Sequence, residues 1–381
     1  MPPPAPPSLP PPLLLHVFSS FAVGGVQARF ASIVNHFGPR WRHAIIAMDG
    51  DLSCRERLDP GLLLEFPAIP FRKGDTLGNV RRFRHTLRAL RPSMLVTSNW
   101  GTIEWSMANW LPIVPELHIE DGFGPDDPGG RLPRRALTRR LVLGRKAVLL
   151  PSRTLWAIAT EIWHLDPRRL RYVPNGIDLQ RFAPASAPRP ATGTGPVVGT
   201  VAALRGEKNI GRLIRAFALA TADGVGRLVI VGDGPERAAL VALAAELGVG
   251  GRVTFAGHVA QPAGLFRELD VFAMSSDTEQ MPMSLLEGMA AGLPVAATDV
   301  GDIRTMVAPE NAPTITARAD AALAAGLRLL LGDPVLRRTI GAANRAKAER
   351  EFGQSTMFAA WADAFEGRLG PRPPGAPTSP P

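Results

Sequence analysis

Residues 197–209 read VVGTVAALRGEKN, and the way this stretch divides decides the architecture. Its first six residues form an apolar, β-branched run of strand length. A loop holding Arg205 and Lys208 follows, and a helix begins near Asn209. The segment just before it, 184–196, is rich in Pro, Ala, Gly and Thr and has the composition of a linker. A strand–loop–helix series therefore restarts here, in a chain that has already run through one such series.

Working outward, the earlier series places strands at 13–18, 43–48, 62–66, 94–97, 117–119 and 147–150. Its first helix, 26–37, follows the turn at Gly24 and Gly25. A strand and turn at 172–178 leads to the linker. The later series places strands at 197–202, 227–231, 252–255, 271–274, 294–298 and 314–316. This alternation is the pattern of βαβ units and parallel sheets. It predicts an α/β fold of two Rossmann-like, doubly wound domains, 13–183 and 197–354, facing a central cleft at their strand ends. The segment 355–370 carries Met357, Phe358, Trp361 and Phe365 at helical spacing, and either packs on the second domain or crosses back to the first. The proline-rich ends, 1–12 and 371–381, read as disordered tails.

A chain of 381 residues that is 45% hydrophobic is long enough for two cores. No run approaches the roughly 18 apolar residues of a membrane span, and no basic n-region or small-residue cleavage site opens the chain. One cysteine, Cys54, allows neither an internal disulfide nor a cysteine-cluster metal site and suits a reducing compartment. These features together predict a cytoplasmic protein, soluble or peripheral on the inner face of the membrane. The net charge of +9 is uneven: residues 1–178 hold 23 basic and 15 acidic side chains, residues 179–381 hold 20 and 19. The excess concentrates at Arg81, Arg82, Arg84, Arg88 and Arg91 and at Arg131, Arg134, Arg135, Arg139, Arg140, Arg145 and Lys146. Such a half is either a solvated arginine-rich face or a surface for phosphates, an anionic membrane among them.

Three segments of the second series converge on phosphate and hydroxyl chemistry. The loop at 203–209 joins two cations to a helix N-terminus, a setting for phosphate groups. Residues 231–236, VGDGPE, close an apolar strand on Gly232 and Gly234, which permit close backbone approach, without the GxGxxG spacing of a dinucleotide site. Residues 275–301, SSDTEQMPMSLLEGMAAGLPVAATDVG, set Glu279 and Glu287 eight residues apart, one in a loop and one early in a helix. From there both carboxylates can reach sugar and ribose hydroxyls.

With GGVQ at 24–27, VPNGID at 173–178, EKN at 207–209 and VTFAGHV at 253–259, these segments resemble glycosyltransferase family 4, retaining nucleotide-sugar enzymes of the GT-B fold, along nearly all of 13–365. The resemblance implies an N-terminal acceptor domain and a C-terminal donor domain. It implies that Lys208 binds the donor diphosphate, that Glu287 holds the ribose, and that Glu279 faces the donor sugar. Gly24 and Gly25 match the loop that approaches donor phosphate and acceptor, and the main chain at Gly257 to Val259 matches the strand end that meets the base. Ala203 stands where the family usually has arginine, which leaves Arg205 as the second cation. Pro282 interrupts the usual Gly-Phe-Gly loop and lacks an N–H, so Met281 and Met283 are the expected backbone donors.

In the first domain, LHIEDGFGPDD at 117–127 clusters His118, Glu120 and Asp121 after a strand end. Family members carry a histidine near here for donor sugar or acceptor. His118 matches by residue type, Asp121 is nearer in some subfamilies, and a core histidine is the plainer alternative. Asn99, Trp100 and Glu104 follow another strand end and are candidates for the acceptor side. The tryptophans Trp100, Trp105 and Trp110 are as well explained by core packing.

The expected reaction is hexosyl transfer from a nucleoside-diphosphate sugar to a hydroxyl on a lipid-linked or glycan acceptor, in bacterial lipopolysaccharide, exopolysaccharide or other surface polysaccharide synthesis. No Asp-x-Asp stands where a metal would hold the diphosphate, so the transfer is expected to need neither metal nor cofactor. Rival readings are a sugar-nucleotide epimerase or hydrolase on the same fold, and a basic lipid- or nucleic-acid-binding protein with a relict donor site. The intact Lys208, Glu279 and Glu287 argue against the relict, and no nucleic-acid partner is expected.

Overall fold

The structure, a computed structural model, describes residues 10–123, 127–184 and 195–368. Most of the expected linker and both expected tails lie outside these residues, as does the 124–126 stretch of LHIEDGFGPDD.

The chain forms two compact units, one of residues before Pro174 together with those from Phe358 on, the other Pro174–Met357. In the first, seven parallel strands run β1 Leu13–Phe18, β2 Arg42–Ala47, β3 Leu63–Glu65, β4 Met94–Ser98, β5 Glu116–Ile119, β6 Ala147–Leu150 and β7 Leu170–Tyr172. Their order is β3-β2-β1-β4-β5-β6-β7. In the second, β8 Val197–Val201, β9 Arg227–Val231, β10 Val253–Gly257, β11 Val271–Met274, β12 Val295–Thr298 and β13 Ile315–Thr316 are ordered β10-β9-β8-β11-β12-β13, again all parallel. The order reverses between β1 and β4 in one sheet and between β8 and β11 in the other. At such switch points neighbouring connections leave on opposite faces and a crevice opens at the carboxyl ends of the strands.

Both sheets are covered on two sides, which is why their strands read as continuous apolar runs. Every residue of β1, LLLHVF, is buried, His16 included. One face of the first sheet packs Leu15 and Val17 with Phe83, Leu87 and Trp105, and the other packs Phe18 with Phe21, Phe30 and Cys54. Trp105 is fully buried and stacks on Phe83 at 4.2 Å between centroids, so it belongs to the core.

The boundary at 173/174 falls ten residues ahead of the one that linker composition suggests. Residues 174–183 are tied into the second unit: Asn175 Nδ2 donates to Met281 O (2.8 Å) and Ile177 N to Phe352 O (2.8 Å). The last helix, Gln354–Phe365, puts Phe358, Trp361 and Phe365 into the first unit, where Phe358 stacks on His36 at 4.0 Å and Phe365 meets Trp41 edge-on at 5.4 Å.

Candidate active site

The second unit assembles its site from the two loops that leave β8 and β11, the strands flanking the switch point. After β8, a short 3-10 turn, Gly206–Lys208, precedes the helix Ile210–Ala220. Asn209 caps that helix from a left-handed conformation (φ 43°), its side chain accepting from Arg212 N at 3.1 Å. After β11, the loop is stitched to the first one at several points. Asp277 N donates to Glu207 O (2.8 Å), Ser275 Oγ to Lys208 O (3.1 Å) and Asn209 Nδ2 to Asp277 Oδ2 (3.0 Å). Arg212 Nη1 pairs with Asp277 Oδ1 at 2.7 Å, and this cation, with Asn209, holds the Asp277 carboxyl below its usual range against its partial desolvation.

The stitching brings two candidate residues into contact. Lys208 Nζ donates to Glu279 Oε1 at 2.5 Å, and Ser276 Oγ donates to the same oxygen at 2.8 Å. The Glu279 side chain is 8% exposed and that of Lys208 25%, so the ammonium faces outward while the carboxylate is held beneath it. Gly301, at φ +56°, makes the loop possible: a Cβ there would come within 2.3 Å of Glu279 O.

Glu287 stands in the helix Met283–Ala290, half-buried, and no hydrogen bond engages its carboxylate among the described residues. Burial pushes its pKa up to about 7, with Arg181 pulling the other way. Pro282 precedes this helix and no side chain caps it, so the first-turn N–H groups, Met283's among them, are open to an anion. Met281 behaves differently from Met283: its side chain is buried and both its sulfur and its carbonyl accept from Asn175. Arg205 is exposed and its guanidinium makes no ion pair among the described residues, three positions from Lys208.

The turn glycines serve the fold more directly than expected. A Cβ at Gly232 would lie 1.9 Å from Ala202 O and one at Gly234 2.5 Å from Leu204 O, so these glycines let VGDGPE close on the 202–204 backbone. Gly232 N also donates to Gly257 O (2.8 Å), which fixes the end of β10; Val259 lies two residues beyond it, half-buried.

In the first unit a concavity of about 420 Å³ opens at the other switch point. Ser19 beyond β1, Val26 in the helix Gly25–Phe37, Asn99 and Trp100 beyond β4, and Asp121 beyond β5 line it with Asp127, Arg135 and Arg139. Gly24 caps that helix in extended backbone and offers no side chain to its first-turn N–H groups. Asn99 holds φ +60°, a left-handed value rare outside glycine, and its Oδ1 accepts from Asp121 N at 2.7 Å. Asp121 pairs with the buried Arg29 at 2.7 Å, and Trp361 lies under that guanidinium at 5.5 Å. Trp100 is half-buried beneath the guanidinium groups of Arg135 and Arg139, each 5.0 Å from its ring.

Three candidates of the first unit are not at this concavity. His118 is fully buried, its Nδ1 2.8 Å from Thr97 Oγ1 and its Nε2 3.6 Å from Glu120 Oε2. Glu120, also fully buried, accepts from Arg139 Nε at 3.1 Å. Glu104 turns away to accept from Thr76 Oγ1 (2.6 Å) and Asn79 Nδ2 (2.7 Å), bracing the start of the helix Thr76–Leu90. Arg139 is likewise no part of a basic surface. It is 1% exposed, pairs with Glu120 and with Asp127 (3.0 Å), and sits 4.5 Å over the Trp163 ring. Arg29 and Asp127 went unread in the sequence, where nothing distinguishes a paired charge from a solvated one. Among the described residues no group of three or more His, Cys, Asp or Glu side chains is arranged to hold a metal ion.

Comparison with known proteins gives the family. The family described as Glycosyltransferase Family 4 matches residues 23–181, and that described as Glycosyl transferases group 1 matches residues 185–347. The chain belongs to the family 4 glycosyltransferases. A family relative, the 2-deoxystreptamine glucosyltransferase of Streptomyces kanamyceticus, is 35% identical over 49% of this chain and 51% of its own length. The lipopolysaccharide core biosynthesis glycosyltransferase LpsD of Rhizobium meliloti is 33% identical over 36% of this chain and 41% of its own. The match thus spans about half, or less, of these curated relatives. The crystal structure of Anabaena HepE in complex with UDP-glucose superposes with a TM-score of 0.78 over 93% of this chain and all of that one, at 18% identity. That likeness shows the shared GT-B fold.

Proposed function

We propose that this family 4 chain transfers a hexosyl group from a nucleoside-diphosphate sugar to a hydroxyl acceptor, with retention and without a metal, in the synthesis of lipopolysaccharide or another surface polysaccharide. The observation that carries the reading is the contact of Lys208 with Glu279 at the switch point of the second sheet. An ammonium has three donors, and one is spent on Glu279. The others are free for the diphosphate, so a single side chain neutralises the leaving group while orienting the carboxylate that meets the sugar. The N–H groups at the start of the helix Met283–Ala290, which no side chain caps, add donors to the same charge, with the exposed Arg205 as the second cation.

In the reaction the bond from the anomeric carbon to the phosphate oxygen breaks and a bond to the acceptor oxygen forms on the same face. The acceptor proton passes to the departing diphosphate. Glu287 accepts from ribose hydroxyls, and the strand end at Gly257 and Val259 meets the base. The acceptor occupies the concavity of the first unit, with Asn99 and Asp121 as hydrogen-bonding groups and Trp100 as an apolar wall; Gly24 and Gly25 open the helix beside it. The relatives support this reading: one is described as a glucosyltransferase, another as a lipopolysaccharide core enzyme, and a fold neighbour binds UDP-glucose.

The test is incubation with a panel of nucleotide sugars, with and without glycan or lipid-linked acceptors, in buffer containing EDTA. Release of nucleoside diphosphate that rises with acceptor, and a product whose anomeric proton coupling matches that of the donor, are expected. Release that ignores every acceptor would favour a hydrolase, and a need for added metal would overturn the metal-free step.

A further inference from the structure

The end of the first sheet away from the acceptor concavity carries a surface that the transfer reaction leaves unexplained. Trp110 and Leu111, in the turn before β5, are 60% and 74% exposed, and Leu137 and Leu141, one turn apart on the helix Pro133–Leu143, are 56% and 57% exposed. Trp110 and Leu141 line one depression of about 330 Å³ with Arg145 and Arg169, Leu111 follows Trp110 in the chain, and Leu137 precedes Leu141 by one helical turn. Arg84 fixes the turn from the other side, its Nη1 donating to Ala108 O (2.8 Å) and Leu111 O (3.0 Å), with exposed Arg88 one helical turn beyond.

The charged lining of the depression is net basic, with Arg145, Lys146 and Arg169 against Glu116. Exposed Arg134 and Arg140 flank the leucines on their helix, and the one carboxylate lining the depression, Glu116, is closed off by Lys146 and by Asn109 Nδ2 at 2.9 Å. A second copy of the chain is a poor occupant, because a two-fold contact would set these arginines against themselves. An anionic bilayer answers both features: its phosphates meet the arginines, and its interface takes an indole and short apolar side chains.

We propose that Trp110, Leu111, Leu137 and Leu141, with the arginines around them, seat the protein on an anionic lipid bilayer. The helix Pro133–Leu143 links this seat to the reaction, since Arg135 near its start lines the acceptor concavity while Leu141 near its end lines the seat. A lipid-linked acceptor is thereby presented along one helix. That consequence rests on the transferase reading, whereas the docking itself does not.

The experiment is sedimentation of the full chain with vesicles of phosphatidylglycerol and phosphatidylcholine, or of phosphatidylcholine alone, at low salt and at 0.5 M salt. Nucleoside diphosphate binding is measured on the same preparations. Variants are Trp110→Ser with Leu111→Ser, Leu137→Ser with Leu141→Ser, and Arg134→Glu with Arg140→Glu; all six side chains are exposed, and thermal melts check the fold. Binding to the anionic vesicles only, weakened at least about tenfold in each variant with nucleotide binding intact, is expected. Wild-type protein that binds nucleotide but ignores anionic vesicles, or variants that bind them like wild type, would overturn the docking and leave the transferase reading standing. A dimer in light scattering that the leucine variant dissolves, with no vesicle binding, would overturn it in favour of a second copy. Vesicle binding without nucleotide binding would support the docking and count against the transferase reading instead.

Discussion

Lys208 Nζ lies 2.5 Å from Glu279 Oε1, joining two loops that leave adjacent parallel strands where the strand order of the second sheet reverses. In the proposed reaction the pair would link the charge on the leaving group to the carboxylate that meets the sugar. It is partly exposed and contributes little to stability as an ion pair. Lys208→Ala should therefore leave the melting temperature nearly unchanged while lowering turnover at saturating donor by at least about 10²-fold. Steady-state rates beside a thermal melt check this, and near-normal turnover would remove Lys208 from the mechanism.

Glu287 offers a pH signature. Its pKa of about 7 in the free protein reflects burial, and ribose hydroxyls donating to the carboxylate would stabilise the ionised form and lower that value. Nucleotide affinity should then be full above pH 7 and weaken as pH falls through 7 towards 6. Glu287→Gln should reduce the dependence to what the terminal phosphate of the ligand contributes, as titration calorimetry at pH 6, 7 and 8 would show. The folding consequence has the opposite sense. A carboxyl whose pKa is raised from 4.5 to about 7 favours the folded state fully below 4.5 and loses that contribution as pH rises through 7. Glu287→Gln should accordingly melt higher than wild type at pH 8 and not at pH 4.

Much of this was legible in the sequence, for a physical reason. Parallel strands covered on both faces are uniformly apolar, so β1, β6, β9 and β11 fall where the runs of LLLHVF, AVLL, RLVIV and VFAM fall. The unit boundary was hidden, because composition marks 184–196 while the packing of Asn175 and Ile177 decides the division. The two loops of the second unit could be paired from their motifs. In the first unit residue type does not decide between the candidates: His118 lies inside β5, beside Thr97 of β4, whereas Asp121 lies beyond the strand end, where the concavity opens. Arginine counting likewise could not separate Arg139, enclosed by Glu120, Asp127 and Trp163, from Arg140 on the surface.

Arg139 supplies a stability prediction. Removing one partner of a buried ion pair strands the other, at a cost of about 3–5 kcal/mol. Arg139→Ala should lower unfolding free energy by that order in chemical denaturation, and Arg140→Ala by less than about 0.5 kcal/mol. Equal effects would contradict the buried network.

The buried histidines of the first unit predict acid sensitivity. His16 Nε2 lies 3.0 Å from His43 Nδ1, burial depresses both, and His43 falls to about 4 while His16 lies well below its usual 6.5. Their neutral forms are favoured in the fold, so stability is present above pH 6.5 and is lost as pH falls from 6.5 towards 4, where the unfolded chain takes up the protons. Denaturation midpoints across pH 4–8 should show this loss, and His43→Leu should flatten it.

The most direct measurement of the central claim is calorimetric titration of nucleoside diphosphates into the wild-type chain, Lys208→Ala and Glu287→Ala. The account predicts saturable binding of one diphosphate by wild type. It also predicts a loss of roughly 1.5–3 kcal/mol in each variant, because each removes a charged hydrogen-bonding partner of the ligand. Absence of binding by any nucleoside diphosphate at millimolar concentration, or binding that both substitutions leave unchanged, would contradict it.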